Sequence, residues 1–315
     1  MELYISTWNF HKHILLKQAN LEDFPALAKD NGFQGIEVMD RQLNLDNEKY
    51  IAGFSRRIKD KNCRLILAVT SDLTYPIEQD WLEQVQYVQK ALEAAAKLGA
   101  QKVRILLGGQ SMSFQKIFNN IRRENHFDGM NTSDSSILEK LIASKKVADI
   151  THFFRRNINV KPKDAARKSH RAILAIQKLL PLAEELEIPM VIENHWGIST
   201  RPDTILTIVN KINSNFLGTC PDFTNFPRET DPYKALSILA KDAMHVHAKS
   251  RRFDAQGEEK NIDFGRCIRI LKKIDYQSSI TIEYGGRGNV MEGCLKTARL
   301  IHKHWKIKRD NSPFI

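Results

Sequence analysis

Four apolar segments in the second half of the chain each end in a residue that can bind a metal or move a proton. These residues are Glu193 in PMVIE, Asp222 in LGTCPD, His247 in AMHVH and Glu283 in SITIE. Three carboxylates and one imidazole suit Mn²⁺, Mg²⁺, Co²⁺ or Zn²⁺ and leave positions open for a substrate. A single acid at such a place is more often a helix cap or a salt-bridge partner. Four residues in the same position favour one divalent metal site.

Eight short apolar runs rich in β-branched residues alternate with longer amphipathic stretches. The runs cover residues 3–8, 35–40, 64–70, 102–108, 189–195, 217–222, 243–249 and 279–285. This alternation predicts repeated strand-then-helix units and a parallel sheet. Eight units favour a closed (β/α)₈ TIM barrel, an α/β fold in which the carboxyl ends of the strands gather at one mouth. A doubly wound open sheet is the alternative, but its first turn, Thr7 to Phe10, contains no glycine.

A polar segment of about 55 residues, Gln110 to Asp164, separates the fourth strand from its helix. Without it the chain approaches the roughly 250 residues of a plain barrel. We therefore expect one barrel domain over residues 1–315, with 110–164 as an inserted loop. Loops of this length are usually functional lids, oligomer arms or disordered. Because it leaves from the rim that carries the site, we expect it to cover the mouth or to reach a neighbouring subunit in a homo-oligomer.

The net charge of +11 is concentrated in two segments. Gln110 to Ser169 holds twelve Lys and Arg against six Asp and Glu, and Arg299 to Arg309 adds five cations and no anion. The rest of the chain is near neutral, which argues against a nucleic-acid groove on its body. The residues 299–315 are interpreted as a basic C-terminal tail.

The composition, 42% hydrophobic and 27% charged, is typical of a soluble globular protein. No run approaches the 18 apolar residues of a membrane helix, and the start lacks the layout of a signal peptide, so we expect a cytoplasmic protein without membrane contact. Its four cysteines lie far apart with no C-x-x-C pair. This spacing argues against a zinc ribbon or a disulfide framework and indicates reduced thiols.

The strings VIENHWG, CPDFTNF, HVHAKS followed by IDFGR, and ITIEYGG resemble the strand-end signatures of the xylose isomerase-like barrels, the sugar phosphate isomerase/epimerase superfamily. The resemblance extends from GFQGIEVMD to the last strand and omits only the insertion and the basic tail. It implies that one divalent ion is bound by Glu193, Asp222, His247 and Glu283. It also implies that Lys249 and His195 face the substrate.

Further residues are candidates for contacts with a sugar. Related barrels place sugar-facing side chains on strands one, two and four, where this chain has Trp8, Glu37 and Arg104. A purely structural role explains each of the three equally well. Trp196 could stack on a sugar face or cover the rim. His245 lies on the same side of its strand as His247 and one layer deeper. It is either a substrate contact, an orienting residue or a satisfied core histidine.

One position departs from the related ketose 3-epimerases. These usually have a histidine three residues after the sixth-strand aspartate, where this chain has Asn225. Asparagine can hydrogen-bond a sugar hydroxyl but cannot take a proton. The same position, and the absence of a D-R-H motif after His247, argue against the three-zinc endonuclease IV branch.

The expected activity is divalent-metal-dependent isomerisation or epimerisation of a sugar or sugar phosphate, a reaction of carbohydrate metabolism. A metal that chelates the carbonyl and the neighbouring hydroxyl would stabilise the developing enediolate. Glu193 and Glu283 could act as base and acid on the two faces of the sugar, with Lys249 as a third catalytic residue. Two alternatives stay open: a lyase resembling inosose dehydratase or cleaving a 3-keto glycoside, and a non-catalytic, metal-stabilised sugar-binding subunit.

Overall fold

The computed structural model describes residues 1–109 and 162–306. Its eight strands form one parallel sheet in the order β6-β5-β4-β3-β2-β1-β8-β7. The strands are β1 Glu2–Ser6, β2 Gly35–Met39, β3 Arg64–Val69, β4 Lys102–Ile105, β5 Met190–Glu193, β6 Leu217–Cys220, β7 Val246–Ser250 and β8 Ser279–Tyr284. The predicted (β/α)₈ TIM barrel is thereby confirmed.

Helices cover the outside of the sheet. Those in the described ranges are α1 His11–Leu15, α2 Phe24–Asp30, α3 Glu48–Asp60, α4 Glu78–Leu98, α5 Pro162–Glu185, α6 Pro202–Ile212, α7 Pro232–Leu239, α8 Phe264–Lys273 and α9 Val290–Lys306. Local signals set several of their ends. Gly99 adopts the left-handed conformation (φ 74°) that ends α4, and the Asp263 side chain caps α8 by accepting from the backbone N–H of Arg266.

The barrel closes between β6 and β7, whose pairing is reduced to two single bridges, Thr219 with Ala243 and Asp222 with His247. The backbone N–H of His247 donates to Pro221 O at 3.0 Å, and that of Phe223 donates to His247 O at 3.1 Å. Two of the predicted metal ligands therefore face each other across this seam.

The strands alternate between two environments. On β8, Ile280 and Ile282 belong to the apolar layer between sheet and helices, together with residues such as Val88 and Leu92 of α4. Thr281 and Glu283 point to the other side, into the barrel, because successive side chains on a strand alternate. The apolar layer holds the fold together, and the barrel interior is left for polar groups.

The loops after β4 and β5 meet by direct backbone contact. Ile198 N donates to Gly108 O at 2.9 Å. A Cβ on Gly197 (φ +66°) would lie 1.8 Å from that same oxygen, so only glycine fits there. This contact fixes the start of the loop that carries His195 and Trp196.

Two predicted segments extend beyond the described residues. Of the insertion 110–164, residues 110–161 lie outside them, and the last three belong to α5. The first eight residues of the predicted tail 299–315 form the end of α9, and the rest also lies outside. No helix in the described part of the chain is long and apolar enough to cross a membrane.

Candidate functional site

The structure brings the four predicted metal ligands together at the carboxyl ends of β5 to β8. All four are buried, and one possible ligand atom from each lies within 4.8 Å of the others: Glu193, Asp222, His247 and Glu283. His247 Nδ1 lies 3.4 Å from Glu193 Oε1 and 3.6 Å from Glu283 Oε1. The three carboxylates therefore surround one imidazole nitrogen, as a site for a single cation requires.

Two buried atoms of this group lack a hydrogen-bond partner among the described residues. They are His247 Nδ1 and Asp222 Oδ2. Buried polar atoms are nearly always satisfied, because an unpaired one costs free energy. A divalent ion would satisfy both atoms, so the donor set fits a metal of the oxygen- and nitrogen-binding kind.

The buried charges of the barrel interior are a second test of whether the site suits a divalent metal ion. Four buried carboxylates, those of Glu37, Glu193, Asp222 and Glu283, stand against the cations of Arg104 and Lys249. Burial, together with the charges of Glu283 and Glu193, raises the pKa of Asp222 to about 6 although Lys249 opposes this effect. With His247 neutral, as a metal-bound imidazole is, a divalent cation would balance the two excess negative charges.

Asp222 is held so that one of its oxygens stays free. Its Oδ1 accepts hydrogen bonds from Thr224 N (2.6 Å), Thr224 Oγ1 (3.0 Å) and Asn225 N (3.0 Å). Asn194 bonds the Asp222 backbone twice, donating to its carbonyl at 3.1 Å and accepting from its N–H at 2.6 Å. The sequence reasoning missed Asn194, whose only signal is a polar residue on the otherwise apolar outward face of VIEN.

His247 is oriented from below by Glu37. Its Nε2 lies 2.8 Å from Glu37 Oε2. Although burial opposes ionisation, His247, His245 and Arg104 hold the pKa of Glu37 well below its usual range. An ionised carboxylate only accepts, so Nε2 carries the proton and Nδ1 is the atom that faces the other ligands.

Arg104 links the two acids that flank the histidine. Its guanidinium approaches Glu193 Oε2 at 3.2 Å and Glu37 Oε1 at 3.6 Å, and its side chain is 7% exposed. Although burial opposes ionisation, Arg104 holds the pKa of Glu193 below its usual range. Arg104 and the fully buried Glu37 thus lie on strands β4 and β2, as expected, and contact the ligands Glu193 and His247.

His245 lies deeper in the barrel and is fully buried. Its Nδ1 lies 3.0 Å from Ser279 Oγ, and its Nε2 lies 2.9 Å from Thr281 Oγ1 and 3.2 Å from Glu37 Oε2. Burial lowers its pKa to about 4, so the ring is neutral near pH 7. Both ring nitrogens are engaged, which matches an orienting core histidine.

Cys220 forms a second cluster of possible metal ligands with His245 and His247. Burial raises the pKa of its thiol to about 12. Only the thiolate is a good metal ligand. This observation favours the carboxylate cluster over this one.

Lys249 lies beside the ligands. Its Nζ donates to Glu283 Oε2 at 2.6 Å, lies 3.9 Å from Asp222 Oδ2 and stands 4.6 Å from the centre of the Trp8 ring. Burial opposes protonation, but the charges of Glu283 and Asp222 raise the pKa of Lys249 above its usual range. In the metal-free site Lys249 is therefore an ammonium ion that neutralises part of the negative charge of Glu283 and Asp222.

The remaining predicted residues line the mouth. His195 Nδ1 has no hydrogen-bond partner among the described residues, and its ring meets Trp196 edge-on with centroids 4.4 Å apart. Burial lowers the pKa of His195 to about 4. Asn225 Nδ2 donates to Glu193 Oε1 at 3.1 Å. Trp8 lies in a short turn after β1, which ends at Ser6, and not on the strand as expected.

Comparisons with known proteins agree with this architecture. The family model of the xylose isomerase-like TIM barrel matches residues 142–303. A comparison with curated protein sequences gave no match.

Three solved structures illustrate the similarity of fold. A D-psicose 3-epimerase with D-tagatose from Clostridium cellulolyticum H10 has a TM-score of 0.69 at 10% identity, over 97% of this chain and 99% of that one. The E. coli 3-keto-D-glucoside 4-epimerase YcjR has a TM-score of 0.64 at 14% identity, over 96% and 99%. An IolI protein with a bound zinc atom has a TM-score of 0.67 at 12% identity, over 99% and 100%. Because the family model covers just over half of the sequence, the chain belongs to the xylose isomerase-like TIM barrel family.

Proposed function

We propose that this protein is a divalent-metal-dependent sugar isomerase or epimerase that transfers a proton at the carbon next to a carbonyl group. The observation that carries the proposal is the buried cluster of three carboxylates around His247 Nδ1, with unpartnered atoms and an excess negative charge. The similar structures named as sugar epimerases, and the one with a zinc atom, support it.

The residues that would hold the ion are Glu193, Asp222, His247 and Glu283. When bound, a divalent ion polarises a carbonyl group as a Lewis acid and so acidifies the adjacent C–H. The protein's own part is to position the sugar, to exclude water and to move the proton.

Glu283 and Glu193 are the proton-transfer groups. They lie 3.6 and 3.4 Å from His247 Nδ1 and come from β8 and β5, and we expect a sugar bound above this atom to have one carboxylate on each face. Arg104 and Asn225 hold Glu193, and Lys249 holds Glu283. When Glu283 takes a proton, the ammonium of Lys249 loses its partner and can stabilise the negative charge that develops on the substrate oxygen.

The mouth residues would bind the sugar. The neutral His195 has a free ring nitrogen for a hydroxyl group. Asn225 can bond a hydroxyl without exchanging its proton. Trp196 would provide an aromatic ring against which the apolar side of a sugar ring can pack.

Glu37, Arg104 and His245 would act as positioning residues, which is one of the two roles that the sequence left open for them. Glu37 bonds the ligand His247 and Arg104 pairs with the ligand Glu193, while His245 bonds Glu37. Glu37 and His245 have no exposed surface.

We expect Glu37→Gln to weaken metal binding by about 10- to 100-fold, the usual effect of losing a carboxylate that orients a ligand histidine. Calorimetric titration with Mn²⁺ measures it. Glu48→Gln, on the exposed side of α3, is the matched control and should bind like the wild type. Wild-type affinity in Glu37→Gln would contradict the positioning role.

Metal affinity should fall steeply as the pH drops from 7 to 5. In the metal-free protein burial raises the pKa of Asp222 to about 6, so its carboxyl group is ionised above that pH and protonated below it. Each proton that the ion must displace costs about tenfold in affinity per pH unit. Mn²⁺ titrations across this range test the expectation, and a Kd that stays constant between pH 7 and pH 5 would contradict it.

A panel of keto sugars, incubated with the metal-loaded protein and followed by mass spectrometry and chromatography, tests the reaction class. An isomerase or epimerase gives products of unchanged mass. Loss of water or of an aglycone would identify a lyase instead. Metal binding without turnover of any sugar would favour the non-catalytic reading.

A further inference from the structure

Arg251 is a second cation near the mouth, the first residue after β7 ends at Ser250 and two residues beyond Lys249. Gly285 N donates to Ser250 O at 2.9 Å, so the pairing of β7 with β8 continues to this level. A methyl group on Gly285 would lie 3.8 Å from Arg251 Cγ and Nε and 3.5 Å from the Trp8 ring. The Arg251 side chain therefore crosses Gly285 at the mouth, next to the tryptophan over which Lys249 stands.

The guanidinium of Arg251 is exposed and makes no hydrogen bond or ion pair with the residues that the structure describes. Its neighbour Arg252 differs, because Arg252 Nη2 donates to Asn261 Oδ1 at 2.8 Å. The backbone of both is fixed, since each N–H donates to Glu259 Oε1 at 3.1 Å. Arg251 is thus a free guanidinium on an anchored backbone.

A neutral sugar would not need this charge. With one divalent ion, the buried carboxylates are balanced by Arg104, Lys249 and the metal, so Arg251 adds a positive charge at the mouth of a site that is already neutral. An arginine presents a planar fork of N–H donors that matches the oxygens of a carboxylate or a phosphate. Because Arg251 follows Lys249 by two residues, their Cα atoms lie no more than about 7 Å apart, a distance comparable to the length of a pentose or hexose chain.

We propose that Arg251 determines specificity by binding an anionic group, a phosphate or a carboxylate, at the end of the keto sugar that is remote from the metal. This inference rests on the proposed function, because it requires a sugar with its carbonyl group at the ion.

The test compares kcat/KM of the metal-loaded enzyme for three forms of one ketose: the neutral sugar, its terminal phosphate and the corresponding keto sugar acid. The wild type should prefer one anionic form, and which form it is separates phosphate from carboxylate. In Arg251→Gln the preference for the anionic over the neutral form should fall by about 10- to 100-fold, mainly through KM. The matched control Arg252→Gln should keep the wild-type preference.

Equal kcat/KM for neutral and anionic forms in the wild type, or an unchanged preference in Arg251→Gln, would overturn the inference while leaving the proposed function standing. Failure of every sugar to react would count against the proposed function instead. Binding of inorganic phosphate to the metal-loaded protein, measured by calorimetry, then tests the arginine by itself. The inference requires weaker binding in Arg251→Gln than in Arg252→Gln, and equal binding in the two variants would overturn it.

Discussion

Replacing Glu283 by glutamine is expected to lower kcat by roughly 10² to 10⁴-fold, the usual contribution of a general base. Glutamine keeps an oxygen for the metal but cannot accept a proton at neutral pH. Glu283 is also the partner of Lys249 at 2.6 Å, so the variant leaves that ammonium without its counter-charge. Steady-state kinetics with saturating metal and sugar give the size of the effect.

The matched control for this variant is Glu292→Gln. Glu292 is exposed on α9, where it pairs with Lys296, and has no contact with the ligands. It should keep wild-type turnover. A Glu283→Gln protein that retains its metal and near-normal kcat would show that Glu283 is a ligand without a catalytic role.

Asp222→Asn is expected to weaken metal binding on the order of 10²-fold or more, because it removes a charged ligand and not merely a residue that orients one. The asparagine carbonyl can still accept from Thr224 and Asn225, so the loop should keep its shape. The metal-free variant should melt no lower than the metal-free wild type near pH 7, since the change removes a buried charge whose pKa is raised to about 6.

Asp242→Asn serves as its control. Asp242 is exposed and precedes β7, at the opposite end of the barrel from the ligands. Calorimetry with Mn²⁺ and thermal melts with and without metal compare the two variants. If Asp222→Asn binds Mn²⁺ as tightly as Asp242→Asn, Asp222 is not a ligand.

The architecture and the meeting of the four strand-end residues were predictable from sequence. Eight apolar runs specify the barrel, and its geometry brings the carboxyl ends of the strands together. Residues such as Glu193 and Glu283, each at the last inward position of an apolar run, must then converge. Because successive side chains on a strand alternate between its two sides, the sequence also indicated that these residues point into the barrel.

The depth of a side chain in the barrel was not predictable in the same way. The alternation of side chains along a strand correctly places Glu37 and Arg104 inside the barrel. They occupy the middle of β2 and the third position of β4, so they lie below the mouth. Their depth depends on strand tilt and on partners from distant segments, such as His245 and His247, and no local pattern encodes those contacts. Trp8 lies outside β1 because the strand ends at Ser6, whose side chain caps the turn that follows. Trp8 N donates to Ser6 Oγ at 3.2 Å.

Asn194 illustrates a second limit of the sequence pattern. It lies on the outward side of its strand end and supports Asp222 through backbone contacts, so its importance appears only when β5 and β6 are placed side by side. The role of the insertion, with residues 110–161 outside the described part of the chain, stays a prediction.

Turnover in D₂O tests proton transfer at this metal-dependent site most directly. The metal-loaded enzyme, given a ketose that it converts, should place deuterium at the carbon next to the carbonyl group, and the label should disappear together with turnover when the metal is removed by a chelator. Product formed at the wild-type rate with almost no deuterium would indicate a hydride shift, and undiminished turnover without metal would contradict the account of the site.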